Sequence, residues 1–323
     1  MISIIVNFFN NRREAKNTLH SLSAGYLRNA SNISYEVIAV DNGSQLPLSE
    51  DEVSSFGPQF RYRYFATQSR SPVDALNTVC SEAKGDELMI MIDGAHLLSP
   101  GILDLADQAF RSLDAPIIAT VPFHLGPKVQ NVSVGEGYNQ EKEEDLLRRC
   151  GWRADGYRLY DVAGSYADGS KGWFGCLFES GCLGIRKRDF LSMQGFDKRF
   201  QSPGGGMANP DILQRALRRS DLQYVVLLGE GTFHQVHGGV ASNSPWDKHP
   251  WKDFEKEYAG IRGAAFARTL RRPMFLGSFP QLKSALKIAK HSAEAGLTFW
   301  LNGSDISGQP ALPHGGSDLT GLA

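Results

Sequence analysis

The chain has 323 residues, 41% of them hydrophobic, enough for one large α/β domain with an appendage or for two modest ones. Its 34 basic and 35 acidic residues leave a formal charge of -1, with no basic run longer than "RKR", so the concentrated positive face that duplex nucleic acid requires is missing. No apolar stretch reaches the roughly 18 residues of a spanning helix. "MISIIVNFFNN" lacks a basic leader and a cleavage site, and the 4 cysteines form no CxxC pair, so the expectation is a cytoplasmic protein with reduced thiols.

Residues 2 to 9, "ISIIVNFF", read as a first buried strand, followed by a helix carrying Ala15, Leu19, Leu22 and Leu27. "YEVIAVDNGS" is a second strand ending on Asp41, and "FRYRYFAT" is a third. "SPVDALNTVCSEAKGD" predicts a helix with Ser71 as its cap and Pro72 at its first position. "ELMIMID" is a fourth strand that stops on Asp93, with a helix over "GILDLADQAF" after it. This alternation predicts a doubly wound, mostly parallel sheet.

"APIIATVPFHL" predicts a fifth strand, after which the pattern loosens into a solvated acidic helix around "EKEEDLLRRC". "FESGCLGIRKRDFLSMQGF" returns as a strand and a short helix. The glycine-rich "FQSPGGGMANP" then feeds the helix "DILQRALRR", and "QYVVLLGEGTFHQVHGG" is a final strand leading into His234 and His237. We expect one domain over residues 1–260, a helical extension over 261–300 and a Gly/Ser/Pro-rich disordered tail over 301–323. "FPQLKSALKIAKHSAEAGL" predicts a basic amphipathic helix, which packs on its own domain or meets a membrane surface peripherally.

Three strand ends carry polar groups: Asn7 and Asn10, then Asp41 and Asn42, then Asp93 and His96. In a doubly wound sheet such ends share one crevice. Neither GxGxxG nor GxxxxGK[ST] is present, so the usual glycine routes to a dinucleotide or a P-loop are closed. The sugar nucleotidyltransferases are disfavoured too, for want of a glycine- and lysine-rich triphosphate loop.

Taken in order, "SIIVNFFNNRREAKNTLHSL", "YEVIAVDNGS", "ALNTVCSEAKGDELMIMIDGAHLLSPGIL" and "GCLGIRKRDFLSMQGFDKRF" resemble a family 2 glycosyltransferase of the GT-A fold over about residues 2 to 240. The resemblance implies inverting transfer of a sugar from a nucleotide donor, usually a UDP-sugar, to a glycan or lipid-linked acceptor. It implies a nucleotide site at Asn10, Asp41 and Asn77, to which the strand-end Asn7, a departure from the family's run, is added as a candidate. Asp41 would accept from the uracil ring, and Asp93 stands for the first acid of the DxD motif that holds a divalent cation, Mn²⁺ or Mg²⁺, on the diphosphate. Here that motif is degenerate: "DGAH" has Ala95 in place of the second acid, with His96 and His237 as further metal candidates.

The family's catalytic base belongs to an acidic pair where this chain has Ala208 and Asn209, which leaves Asp211 as the nearest substitute. Glu179 and Asp197 are reserves, Asp197 the more structural of the two, with Glu179 and Trp173 placed at the acceptor. These departures keep a second function open, a GT-A-like protein that binds nucleotide or glycan without turnover.

Overall fold

The computed structural model describes residues 1–166 and 171–302. Among the described residues ten strands form one sheet: β1 (Ile2–Phe8), β2 (Tyr35–Asp41), β3 (Phe60–Tyr64), β4 (Glu87–Met91), β5 (His96–Leu98), β6 (Pro116–Leu125), β7 (Ala163–Tyr166), β8 (Leu183–Arg186), β9 (Gln223–His234) and β10 (Met274–Gly277). The helices are α1 (Arg12–Ser21), α2 (Glu50–Ser54), α3 (Val73–Glu82), α4 (Ile102–Ser112), α5 (Gln130–Ser133), α6 (Gln140–Cys150), α7 (Lys187–Ser192), α8 (Ala208–Leu217), α9 (Trp251–Arg262) and α10 (Lys283–Asn302).

The sheet runs β10-β9-β6-β8-β4-β1-β2-β3, with β5 and β7 attached to β9 and β6. Pairing is parallel from β4 through β1 and β2 to β3, while β8 is antiparallel to both its neighbours. This is the mixed, mostly parallel sheet that the sequence predicts. The inner strands β1, β2, β4, β6 and β8 are largely apolar because both faces are covered, whereas the edge strands β3 and β10 are largely exposed. Ile4, Val6, Met89 and Met91 face α1 and α4, and Ile5, Val40, Leu88 and Ile90 face α3 and the later helices. Among the described residues no helix is long and apolar enough to cross a membrane.

Several elements escape the sequence pattern, among them α2, α9 and the strands β5, β7 and β10. β5 is only three residues long and pairs antiparallel with the end of β9. β10 extends the sheet beyond the strand expected to be last, pairing parallel with β9. The segment past residue 260 also puts Ala285, Ile288 and Ala289 of α10 into the main core, and only the first two residues of the expected tail, 301 and 302, lie inside the described residues. The start of α3 falls one residue later than predicted: Pro72 is the cap residue, and Ser71 donates its hydroxyl to the Phe200 carbonyl.

Trp173 requires a correction. It is 0% exposed, donates its ring N–H to the Glu230 carbonyl at 2.8 Å and packs on Phe123, Tyr160 and Phe279, so it is core and meets no acceptor. The Glu230 carboxylate below it accepts from Ser99 Oγ, the Gly101 N–H and the Tyr157 hydroxyl. Burial pushes Glu230 up to about 7 from its ordinary 4.5. The folded chain thus keeps a proton that the unfolded chain has lost in that window, and the associated stability, complete below pH 4.5, is lost as pH rises through about 7. Urea unfolding of the wild type should weaken over this range and Glu230→Gln should flatten the decline; parallel curves for the two proteins would contradict the assignment.

Candidate active site

Register assembles the site. β6 pairs with β9 so that His124 lies beside His234, and β5 pairs with β9 so that His96 lies on its other side. Their rings sit 5.5 and 4.8 Å from that of His234. A register shift between Ala119 and Val121 separates the two halves of the β6–β9 ladder, and the second half carries these histidines. Asp93 follows β4 by two residues, and its Oδ1 accepts the Ala95 N–H at 2.9 Å.

The other carboxylate oxygen, Oδ2, lies 3.1 Å from His234 Nε2 and 3.6 Å from His237 Nε2, and the two nitrogens are 3.3 Å apart. Ligands in adjacent positions around a cation with bonds of about 2.1 Å lie about 3.0 to 3.4 Å from one another. Two sides of the triangle fall in this range and the third, at 3.6 Å, is slightly longer, so the three atoms approximate one face of a coordination shell in the two-histidine, one-carboxylate pattern. His96, Asp93 and His234 also fall within 4.8 Å of one another, with His96 Nδ1 buried and unpartnered.

A second layer fixes the tautomer of His234. Gln130 donates its amide N–H groups to the Leu125 and His234 carbonyls, so its Oε1 must accept, and His234 Nδ1 is the donor at 2.7 Å. His234 Nε2 then presents a lone pair to Asp93 Oδ2, an arrangement that calls for a cation, proton or metal, between them. Asn243 Oδ1 accepts from the N–H groups of His237, Gly238 and Gly239, and Glu143 accepts the Val236 N–H at 2.9 Å. Burial pushes Glu143 up to about 8, against its Val236 and Arg13 bonds.

The electrostatics match. Burial works to raise the Asp93 carboxyl, yet His237 and His234 outweigh it and hold it well below the usual carboxylate range. Burial works to lower His237, and Asp93 outweighs it, so His237 is raised. His234 is lowered by burial against the pull of Asp93, and His96 is driven down to about 3 by burial and its histidine neighbours. One imidazole of the cluster thus favours its proton and the others resist theirs. The cluster opens on a cleft of about 340 Å³ that also receives Asn7, Asn10, Arg70 and Glu179.

Residues 3–162 match the family model described as glycosyl transferase family 2. Those residues form a domain of that family. No curated protein sequence matches it. Among solved structures it is similar to S. aureus TarS 1–349 in complex with UDP-GlcNAc, at 13% identity and a TM-score of 0.50, covering 93% of this chain and 73% of that one. It is also similar to longer S. aureus TarS (12% identity, TM-score 0.46, 73% of this chain and 36% of that one), so it spans about a third of that structure. A third likeness is to glucosyl-3-phosphoglycerate synthase from Mycobacterium tuberculosis, at 14% identity and a TM-score of 0.44, covering 87% of this chain and 88% of that one. The shared fold is GT-A.

This family 2 chain brings together some of the residues its sequence nominates and separates others. Asn7, Asn10, Asp93, His96, Glu179 and His237 line the cleft. Asn7 donates to the Ile92 carbonyl, joining the first strand end to the Asp93 turn. Asn10, in the left-handed region at φ 54°, accepts from the Gln45 N–H.

Asp41 is a correction: it is 1% exposed, accepts the Ser44 N–H at 2.8 Å in its own turn, lies beside Tyr62 and is no part of the cleft lining. Asn77 is another, because its amide both donates to the Phe196 carbonyl and accepts the Phe196 N–H, bracing the turn after α7. Asp211 cannot serve as a base. It is 1% exposed and gripped by Arg262 through two bonds, at 2.7 and 2.6 Å, and by Arg215 at 2.8 Å.

Sequence reasoning undervalued His234 and missed His124, Gln130 and Asn243. "FHQVH" held the signal for His234, yet a spacing of three residues discloses nothing without the strand partner that orients the first ring.

Arg262→Ala should cost about 3 kcal/mol of stability by leaving the buried Asp211 with Arg215 alone. Urea titration checks this; a loss below about 0.5 kcal/mol would show that the network bears no such weight.

Proposed function

We propose that this family 2 protein is an inverting glycosyltransferase that moves a sugar from a UDP-sugar to a hydroxyl of a glycan or lipid-linked acceptor. The observation that carries the reading is the triangle of Asp93 Oδ2, His234 Nε2 and His237 Nε2 at the cleft. Its likeness to the TarS 1–349 structure that holds UDP-GlcNAc supports a uridine nucleotide donor.

The donor set fits a divalent cation, with two imidazoles favouring Mn²⁺ over the oxygen-seeking Mg²⁺. When bound, such an ion neutralises the charge that develops on the departing diphosphate. Asp93 supplies the anionic ligand, held by the Ala95 N–H. His234 supplies the second, its tautomer set by Gln130, and takes the place of the family's missing second acid. His237 supplies the third, on a loop pinned by Asn243. Asn7 and Asn10 line the cleft, where they would meet the nucleotide, and Gly238 and Gly239 would let backbone approach the phosphates.

Exposed Leu286, Leu297 and Leu301 on α10, beside Lys283 and Lys290, support peripheral contact with a membrane where a lipid-linked acceptor would be met.

Thermal unfolding tests the reading: UDP should raise Tm more with Mn²⁺ than without it, by several degrees at about 100-fold excess over Kd. Asp93→Ala and His234→Ala should each abolish the Mn²⁺-dependent increment. Equal UDP shifts with and without Mn²⁺ in the wild type would overturn it.

A further inference from the structure

Attack by an acceptor hydroxyl on the anomeric carbon needs a group that takes up its proton. Among the described residues, the cleft is lined by only two carboxylates, Asp93 and Glu179. Asp93 is committed to the histidine pair, and Asp211 is sealed by two arginines. From the geometry we infer that Glu179 is the catalytic base of the transfer reaction and that Asn209 is its positioning residue. This rests on the reading of the protein as a UDP-sugar transferase.

Three observations converge on Glu179. First, Asn209 lies in the first turn of α8, and its amide donates to Glu179 Oε2 at 3.0 Å and to the Ser180 carbonyl at 3.1 Å. One amide therefore fixes both the carboxylate and the backbone that bears it. Second, Gly181 packs so tightly that a Cβ there would lie 1.9 Å from Thr232 Oγ1. That contact holds the Glu179 segment against β9, two residues before His234. Third, the imidazoles that share the cleft are already engaged: His124 Nδ1 accepts the Gln130 N–H at 2.7 Å, and the Nε2 atoms of His234 and His237 face Asp93. The base has thus moved from the helix, where Asn209 has no basicity, to the strand-leading loop that Asn209 touches.

In the step itself the Glu179 carboxylate takes the proton from the acceptor hydroxyl as that oxygen bonds to the anomeric carbon. The bond from that carbon to the diphosphate oxygen breaks, and its electron pair leaves on UDP. The carboxyl then returns its proton to solvent, and no oxidant or reductant is involved.

The test uses the full chain with UDP-GlcNAc or UDP-glucose and Mn²⁺, reading UDP release with water as acceptor, then with sodium azide, a nucleophile that has no proton to lose. Glu179→Gln should slow release into water by about 10²-fold or more while keeping the Tm shift given by UDP and Mn²⁺. Azide should restore release in that variant to within about tenfold of the wild type, with a glycosyl azide as product, whereas Glu179→Asp should retain an intermediate rate and the wild-type form of the pH profile.

A Glu179→Gln protein that releases UDP as fast as the wild type overturns the assignment of the base and leaves the transferase reading intact. So does one that binds UDP and Mn²⁺ yet gains nothing from azide. A wild type that releases UDP from neither donor overturns both.

Discussion

Three lone-pair-bearing atoms, from Asp93, His234 and His237, converge within 3.6 Å of one another, and such a cluster is stable only around positive charge. Much of this region is arranged to enforce that convergence. Gln130 decides which nitrogen of His234 points inward, Asn243 gathers three successive N–H groups to hold the His237 loop, and Glu143 grips Val236, one of the two residues between the histidines. Each of these supports is buried, so replacing one leaves polar groups without partners as well as loosening the site.

The placement of the cluster follows from the topology. Parallel β1 and β4 lead Asn7 and Asp93 to the same carboxyl end of the sheet, and the late strand β9 comes back beside β6 with a shifted register that lines up His124, His234 and the His96 of β5. On the proposed reading, a degenerate metal motif would thereby be compensated across the sheet. The carboxylate absent at Ala95 is replaced by an imidazole 141 residues along the chain from Asp93. The proposed base follows the same pattern, with Asn209 on the helix and Glu179 joined to it across 30 residues of chain.

The fold was legible because its signals are local. Apolar runs ending in polar turns marked β1, β2, β4, β6 and β9, and periodic helices lay between them. β5 and β10 were not legible, being three and four residues long and defined by their pairing with β9. The site was legible where strand ends supply it, at Asn7, Asn10 and Asp93, and at His237 just past β9. It was misread where a polar group has a partner far along the chain: Asp211 with Arg262, Asn77 with Phe196 and Trp173 with Glu230. Asp41 differs, since it is consumed by its own turn through Ser44, three residues on.

The most direct test is a crystal structure of the chain grown with Mn²⁺ and UDP, read by anomalous scattering at the manganese edge. The account predicts one strong peak about 2.1 to 2.3 Å from Asp93 Oδ2, His234 Nε2 and His237 Nε2, with the diphosphate on its open side. Bound UDP with no peak among these three atoms, or a peak held by other residues, would contradict it.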